Sequence, residues 1–127
     1  MDNLESVKPT LLVIDDVAEN LTLMHKLLRD DYKVKGASDG LRGIQIAQSE
    51  APDLILLDVM MPDMDGFSVM NALQQNPNTK DIPIIVVTAK ELTPQEKAML
   101  SGHIKALMQK GDFMSDDFLD EITANIR

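Results

Sequence analysis

The sequence contains no cysteine, which excludes a disulfide framework, a thiolate zinc site and a thiol nucleophile. That composition fits the cytoplasm, the expected location. Basic charge is also scarce: 12 Lys and Arg face 21 Asp and Glu, a net charge of −9. Such a balance argues against direct nucleic-acid binding, because little is available to neutralise a run of phosphates. Long apolar runs are missing too. The longest, Leu54–Leu57 and Ile82–Val87, are far too short to cross a bilayer, so no membrane span is expected. The first residues, Met1-Asp2-Asn3-Leu4-Glu5, have neither the basic start nor the apolar centre of a secretory signal. Residues 1–8 read as a disordered lead-in and residues 9–127 as one domain, long enough for a single core.

What is present alternates between two kinds of segment. Leu11-Leu12-Val13-Ile14, Leu54-Ile55-Leu56-Leu57 and Ile82–Val87 are short and almost continuously apolar, the pattern of strands buried on both faces of a parallel sheet. Tyr32–Ala37 and Ile104–Gln109 are weaker strand candidates. Helical spacing separates them: Leu21, Met24 and Leu28; then Ile44 and Ala47 with Leu41 nearby; then Phe67 and Met70 with Leu73 or Asn71. Thr93-Pro94-Gln95-Glu96 combines a capping box with Pro at the first helical position. Ser115 is a candidate cap for a last helix carrying Phe118, Leu119, Ile122 and Ile126. The expected order is five β–α units, with strands near 10–15, 32–37, 53–58, 82–88 and 104–109. Strict alternation implies right-handed crossovers and a three-layer α/β/α domain with a parallel sheet.

In open sheets of this class, ligands bind just outside the carboxyl ends of the strands. At those ends the sequence places Asp15-Asp16, Asp58, Thr88-Ala89 and Lys110. Three clustered carboxylates repel one another, and a hard divalent cation such as Mg2+ with oxygen ligands relieves this. A carboxylate beside such an ion is a competent nucleophile toward phosphorus. The oxygens of a transferring phosphoryl group then need neutralising, which an ammonium and a hydroxyl can assist. Taken singly, each residue has a plainer reading. An Asp pair after a strand can be a helix cap, Thr88 a β-branched strand residue and Lys110 a solvated charge. Their joint arrival at one edge from four segments favours a site.

These residues, as Leu12-Val13-Ile14-Asp15-Asp16, the stretch Leu57-Asp58 through Gly66, Val87-Thr88-Ala89-Lys90 and Gln109-Lys110, resemble the receiver domain of two-component signalling. The likeness runs from about residue 10 to the end, closest in style to receivers of hybrid sensor histidine kinases. The resemblance implies a flavodoxin-like (βα)5 fold with strand order 2-1-3-4-5. It implies a phosphorelay function in which Asp58 takes a phosphoryl group from a phosphohistidine donor, a histidine kinase or histidine phosphotransfer domain. Asp16, Asp58 and the backbone carbonyl of Met60 would hold Mg2+, with Asp15 helping directly or through a water, while Thr88 and Lys110 would bind phosphoryl oxygens. It further implies a protein that catalyses only its own phosphorylation and dephosphorylation. Its partner or dimerisation face would lie on helix 4, strand 5 and helix 5, including Leu92, Met99, Ile104 and Leu107.

The sequence departs from the common receiver pattern in places. Leu107 stands where many members carry Tyr or Phe, and Gly111 where many carry Pro. Met60 and Lys90 occupy positions that influence phosphoryl lifetime, and a thioether cannot orient an attacking water by donating a hydrogen bond. Other readings fare worse. A calcium loop through Asp63, Asp65 and Gly66 lacks the acidic twelfth position, which is Ala72. A nucleotide-binding enzyme needs a Gly-rich cradle, whereas Asp15-Asp16-Val17-Ala18-Glu19-Asn20 follows the first strand. A metal-dependent phosphohydrolase with an Asp nucleophile is the enzyme-class rival, and a receiver-like module acting without phosphorylation is another. His25 and His103 have no partner set and read as structural or solvent-facing. The nine Met residues read as adaptable core filler.

Overall fold

The computed structural model describes residues 8–58, 66–88, 92–100, 102, 104–109 and 116–125. Ten elements alternate without exception: β1 (Thr10–Ile14), α1 (Ala18–Leu28), β2 (Lys33–Ala37), α2 (Gly40–Glu50), β3 (Leu54–Leu57), α3 (Gly66–Gln75), β4 (Ile84–Thr88), α4 (Pro94–Leu100), β5 (Ala106–Gln109) and α5 (Asp116–Asn125). All strand pairs are parallel, in the order β2-β1-β3-β4-β5. The three-layer, flavodoxin-like (βα)5 architecture is therefore as expected.

Side chains alternate across a strand, so each central strand feeds two cores. Leu12, Ile14, Ile55, Leu57, Ile84 and Val86 pack on one face with Ile44 and Ala47 of α2, Val69, Met70 and Leu73 of α3 and Leu100 of α4. Leu11, Val13, Leu54, Leu56, Ile85 and Val87 pack on the other with Met24 and Leu28 of α1 and Ile122 of α5. This double burial is why β1, β3 and β4 are apolar throughout. β2 sits at the edge, where exposed Lys33 and Lys35 discourage pairing with another chain.

One contact brings a helix unusually near the sheet. A Cβ placed on Gly43 of α2 would lie 2.5 Å from Cδ1 and 2.7 Å from Cγ1 of Ile14, so the absent side chain sets that approach.

Some expectations are corrected. β4 starts at Ile84 rather than near 82, because Pro83 has no N–H to contribute to a ladder. β5 starts at Ala106 rather than near 104. Leu41 is 61 % exposed and lies off the buried stripe of α2. In α3 the alternative resolves to Leu73, which is buried, while Asn71 is exposed and accepts a hydrogen bond from the Gln75 amide. Leu92 is buried in the core and so does not belong to an open partner face, whereas Met99 and Leu107 are exposed. The capping box holds: the Thr93 N–H donates to Glu96 Oε1 at 2.8 Å and the Glu96 N–H to Thr93 Oγ1 at 3.1 Å. Ser115, Ile126 and His103 fall outside the described residues, and His25 faces solvent.

Candidate functional site

Register decides what meets at the sheet edge. Ile14 pairs with Leu57, Leu57 with Val86, and Val86 with Leu107, so β1 and β3 end level while β4 and β5 run two residues further. One residue beyond Ile14 is Asp15, one beyond Leu57 is Asp58, and Thr88 closes β4. Two backbone bonds continue the ladder into the site: the Asp58 N–H donates to the Ile14 carbonyl at 2.9 Å, and the Asp15 N–H to the Ala37 carbonyl at 3.0 Å. The carboxylate-bearing backbone is thus fixed by the sheet rather than by a mobile loop.

Asp15, Asp16 and Asp58 each bring one carboxylate oxygen to within 4.8 Å of the others. Asp15 and Asp58 are each 4 % exposed and Asp16 is open to solvent, so the cluster has a buried floor and an accessible side. Thr88 is buried at the neighbouring strand end. Hard oxygen donors in this number fit a hydrated divalent cation that keeps some of its waters, and do not fit a thiophilic metal. The plainer cap reading of the Asp pair does not hold, since Val17 occupies the cap position of α1 and makes no side-chain capping bond. Asp15 Oδ1 accepts the Val17 N–H at 2.9 Å at the start of α1, and Asp15 Oδ2 accepts from Asn20 Nδ2 at 3.2 Å. Among the described residues no buried side-chain polar atom lacks a hydrogen-bond partner.

Of the expected site residues, Asp15, Asp16 and Asp58 come together, and Thr88 is buried at the end of the neighbouring strand β4. Met60 and Lys110 lie outside the described residues, as do Lys90 and Gly111. Sequence reading passed over Asn20, whose side chain reaches the cluster. Its position, one helical turn beyond the Asp pair, is the spacing that could have found it.

Comparison with known proteins places this geometry. The family described as the response regulator receiver domain matches residues 11–122. Response regulator PleD of Caulobacter vibrioides is 45 % identical over 80 residues, covering 62 % of this chain and 18 % of PleD. The chain thus spans about a fifth of the length of that relative. Chemotaxis protein CheY4 of Vibrio cholerae superposes with a TM-score of 0.85 at 27 % identity, covering 94 % of this chain and 100 % of that structure. The receiver domain of sensor histidine kinase PA1611 from Pseudomonas aeruginosa has magnesium coordinated in its active-site cleft. It superposes with a TM-score of 0.78 at 26 % identity, covering 91 % of this chain and 94 % of its own. Among the described residues no helix is long and apolar enough to cross a membrane. With the match running from β1 into α5 and taking in the acidic cluster at the strands' carboxyl ends, the chain belongs to the response regulator receiver domain family of two-component signalling.

Proposed function

We propose that Asp58 is the phosphoacceptor of this receiver, that Asp15, Asp16 and Asp58 hold Mg2+ together with the Met60 carbonyl, and that Thr88 and Lys110 bind phosphoryl oxygens. The observation that carries the reading is the meeting of three carboxylates, two of them buried, at the level ends of β1 and β3. An oxygen of the Asp58 carboxylate attacks phosphorus in line with the phosphohistidine bond. The new P–O bond forms as the P–N bond breaks, and the imidazole leaves with the electron pair. When bound, the cation supplies charge neutralisation at the phosphoryl oxygens. Asp58 is held for attack by its N–H bond to Ile14, and burial of Asp15 and Asp58 limits competing water.

The phosphoryl donor is a histidine kinase or histidine phosphotransfer domain, and Mg2+ is the natural cation for an all-oxygen donor set. Added charge at Asp58 shifts a pre-existing conformational equilibrium, read out across α4, β5 and α5. Exposed Leu107 and Met99 belong to that face, where a groove of about 190 Å³ is bounded by Lys97, Leu100, Gly102, Ile104 and Leu107. The chain itself turns over nothing beyond its own aspartyl phosphate.

The test is incubation with a small acyl phosphate and Mg2+, followed by intact-mass measurement. One phosphoryl group is expected on the parent and none on Asp58→Asn. No Mg2+-dependent addition to the parent would overturn the assignment, and many turnovers of a phosphate ester would favour a phosphohydrolase instead. Because the Met60 thioether is no donor and only a weak acceptor, it is poorly suited to orient an attacking water, and the phosphoryl group on Asp58 should be long-lived. Met60→Asn should lose it faster in a decay time course, and an unchanged rate would sink the idea.

A further inference from the structure

The start of α1 is built around a carboxylate rather than an ordinary cap. Val17, at the cap position, has no side-chain oxygen and makes no capping bond. The Val17 N–H goes instead to Asp15 Oδ1 at 2.9 Å, and the second oxygen of Asp15 accepts from the Asn20 amide at 3.2 Å. With its own N–H bound to the Ala37 carbonyl, Asp15 is held through backbone and side chain alike. Asn20 lies in the first turn of α1 and is partly buried. Asn is a weaker helix former than Ala, so its residue type has no purely helical rationale there.

A carboxylate turns easily about its terminal torsion, which has broad minima. A donor on each oxygen, from the Val17 N–H and the Asn20 amide, constrains the plane. Asp16 and Asp58 bring their oxygens within 4.8 Å on the same side of the strand ends. The donor's charge also matters. A Lys at position 20 would lend a fixed positive charge and compete with a cation, and a carboxylate would add to the repulsion. A neutral amide orients without doing either.

We propose that Asn20 is a positioning residue of the cation site: with the Val17 N–H it holds the Asp15 carboxylate in the orientation that brings it to the space shared with Asp16 and Asp58. This rests on reading that cluster as a cation site. Two effects oppose when the amide is removed. The carboxylate becomes a better donor, which strengthens binding, but it loses one of the bonds that hold its plane, which weakens it. Orientation dominates, as for hydrogen-bonded supports of metal ligands generally, whose loss typically weakens metal affinity by about 10–100-fold.

The experiment titrates Mg2+ by calorimetry, and Mn2+ by loss of the free-ion paramagnetic signal. It compares the parent with Asn20→Ala, Asn20→Gln and Asp58→Asn, and measures urea stability on each. Asn20→Ala should bind both ions at least about tenfold more weakly with stability little changed, since Ala favours the helix. Asn20→Gln, which keeps an amide donor, should recover part of the loss. Affinity unchanged or tighter in Asn20→Ala overturns the inference. So does a loss that merely tracks lost stability and is not recovered by Gln. If the parent binds no better than Asp58→Asn, the reading of the cluster as a cation site falls with it, a result distinct from failure of Asn20 alone.

Discussion

Thr79 illustrates how much a single hydroxyl can carry. It is 1 % exposed, and its Oγ1 donates to the Leu73 carbonyl at 2.6 Å just before α3 ends at Gln75. Thr79→Val keeps the shape and leaves that acceptor only the longer bond from the Asn76 N–H at 3.4 Å, a change that costs about 1 kcal/mol. A urea titration of the variant should show a lower midpoint at unchanged slope, and an unchanged midpoint would mean that water replaces the bond. Legibility at this scale was uneven. Asp15, Asp16 and Asp58 stood out because carboxylates at strand ends are conspicuous against apolar runs. Thr79 and Asn20 did not, since each acts through side-chain hydrogen bonds to partners several residues away. No spacing rule flags an isolated hydroxyl or amide.

Helix ends show the same contrast between chemistry that is local and chemistry that is not. The α4 box was readable because Thr93 and Glu96 satisfy each other's backbone donors within four consecutive residues. Thr93→Ala should cost about 1 kcal/mol, seen as a lower thermal midpoint and faster amide exchange in the first turn of α4. At the other extreme, α2 ends on Ala51 in the left-handed region, at φ 47°, a conformation that no residue pattern announced. Ala51→Gly should stabilise by about 0.5–1 kcal/mol, because relief of the Cβ clash outweighs the extra freedom of the unfolded chain. A lower thermal midpoint would show the reverse balance. Leu41 misled for a geometric reason. It follows Gly40 by about 100° around the helix axis, which turns it away from the stripe of Gly40, Gly43, Ile44 and Ala47.

For the whole molecule, the consequential fact is that a parallel sheet whose β1 and β3 end level gathers acidic groups from separate segments into one place. Unit charges about 5 Å apart repel by about 3 kcal/mol at an effective dielectric constant near 20. Asp15 and Asp58 are both buried, so solvent screens that repulsion only in part. Folding without a cation therefore works against the site, and folding with one is reinforced by it. A ligand that binds only the native state stabilises it by about 2.7 kcal/mol at one hundred times its dissociation constant. Two curves should follow. In chelator, Asp58→Asn should melt above the parent, because one buried charge has been removed from the cluster. In saturating Mg2+ the parent should gain several degrees, while the variant, having lost a ligand, gains much less, so the order narrows or reverses. Thermal melts of both proteins across a Mg2+ series check this directly. A parent whose midpoint does not respond to Mg2+ would show that the three carboxylates are held apart by their hydrogen bonds alone and do not act as one site.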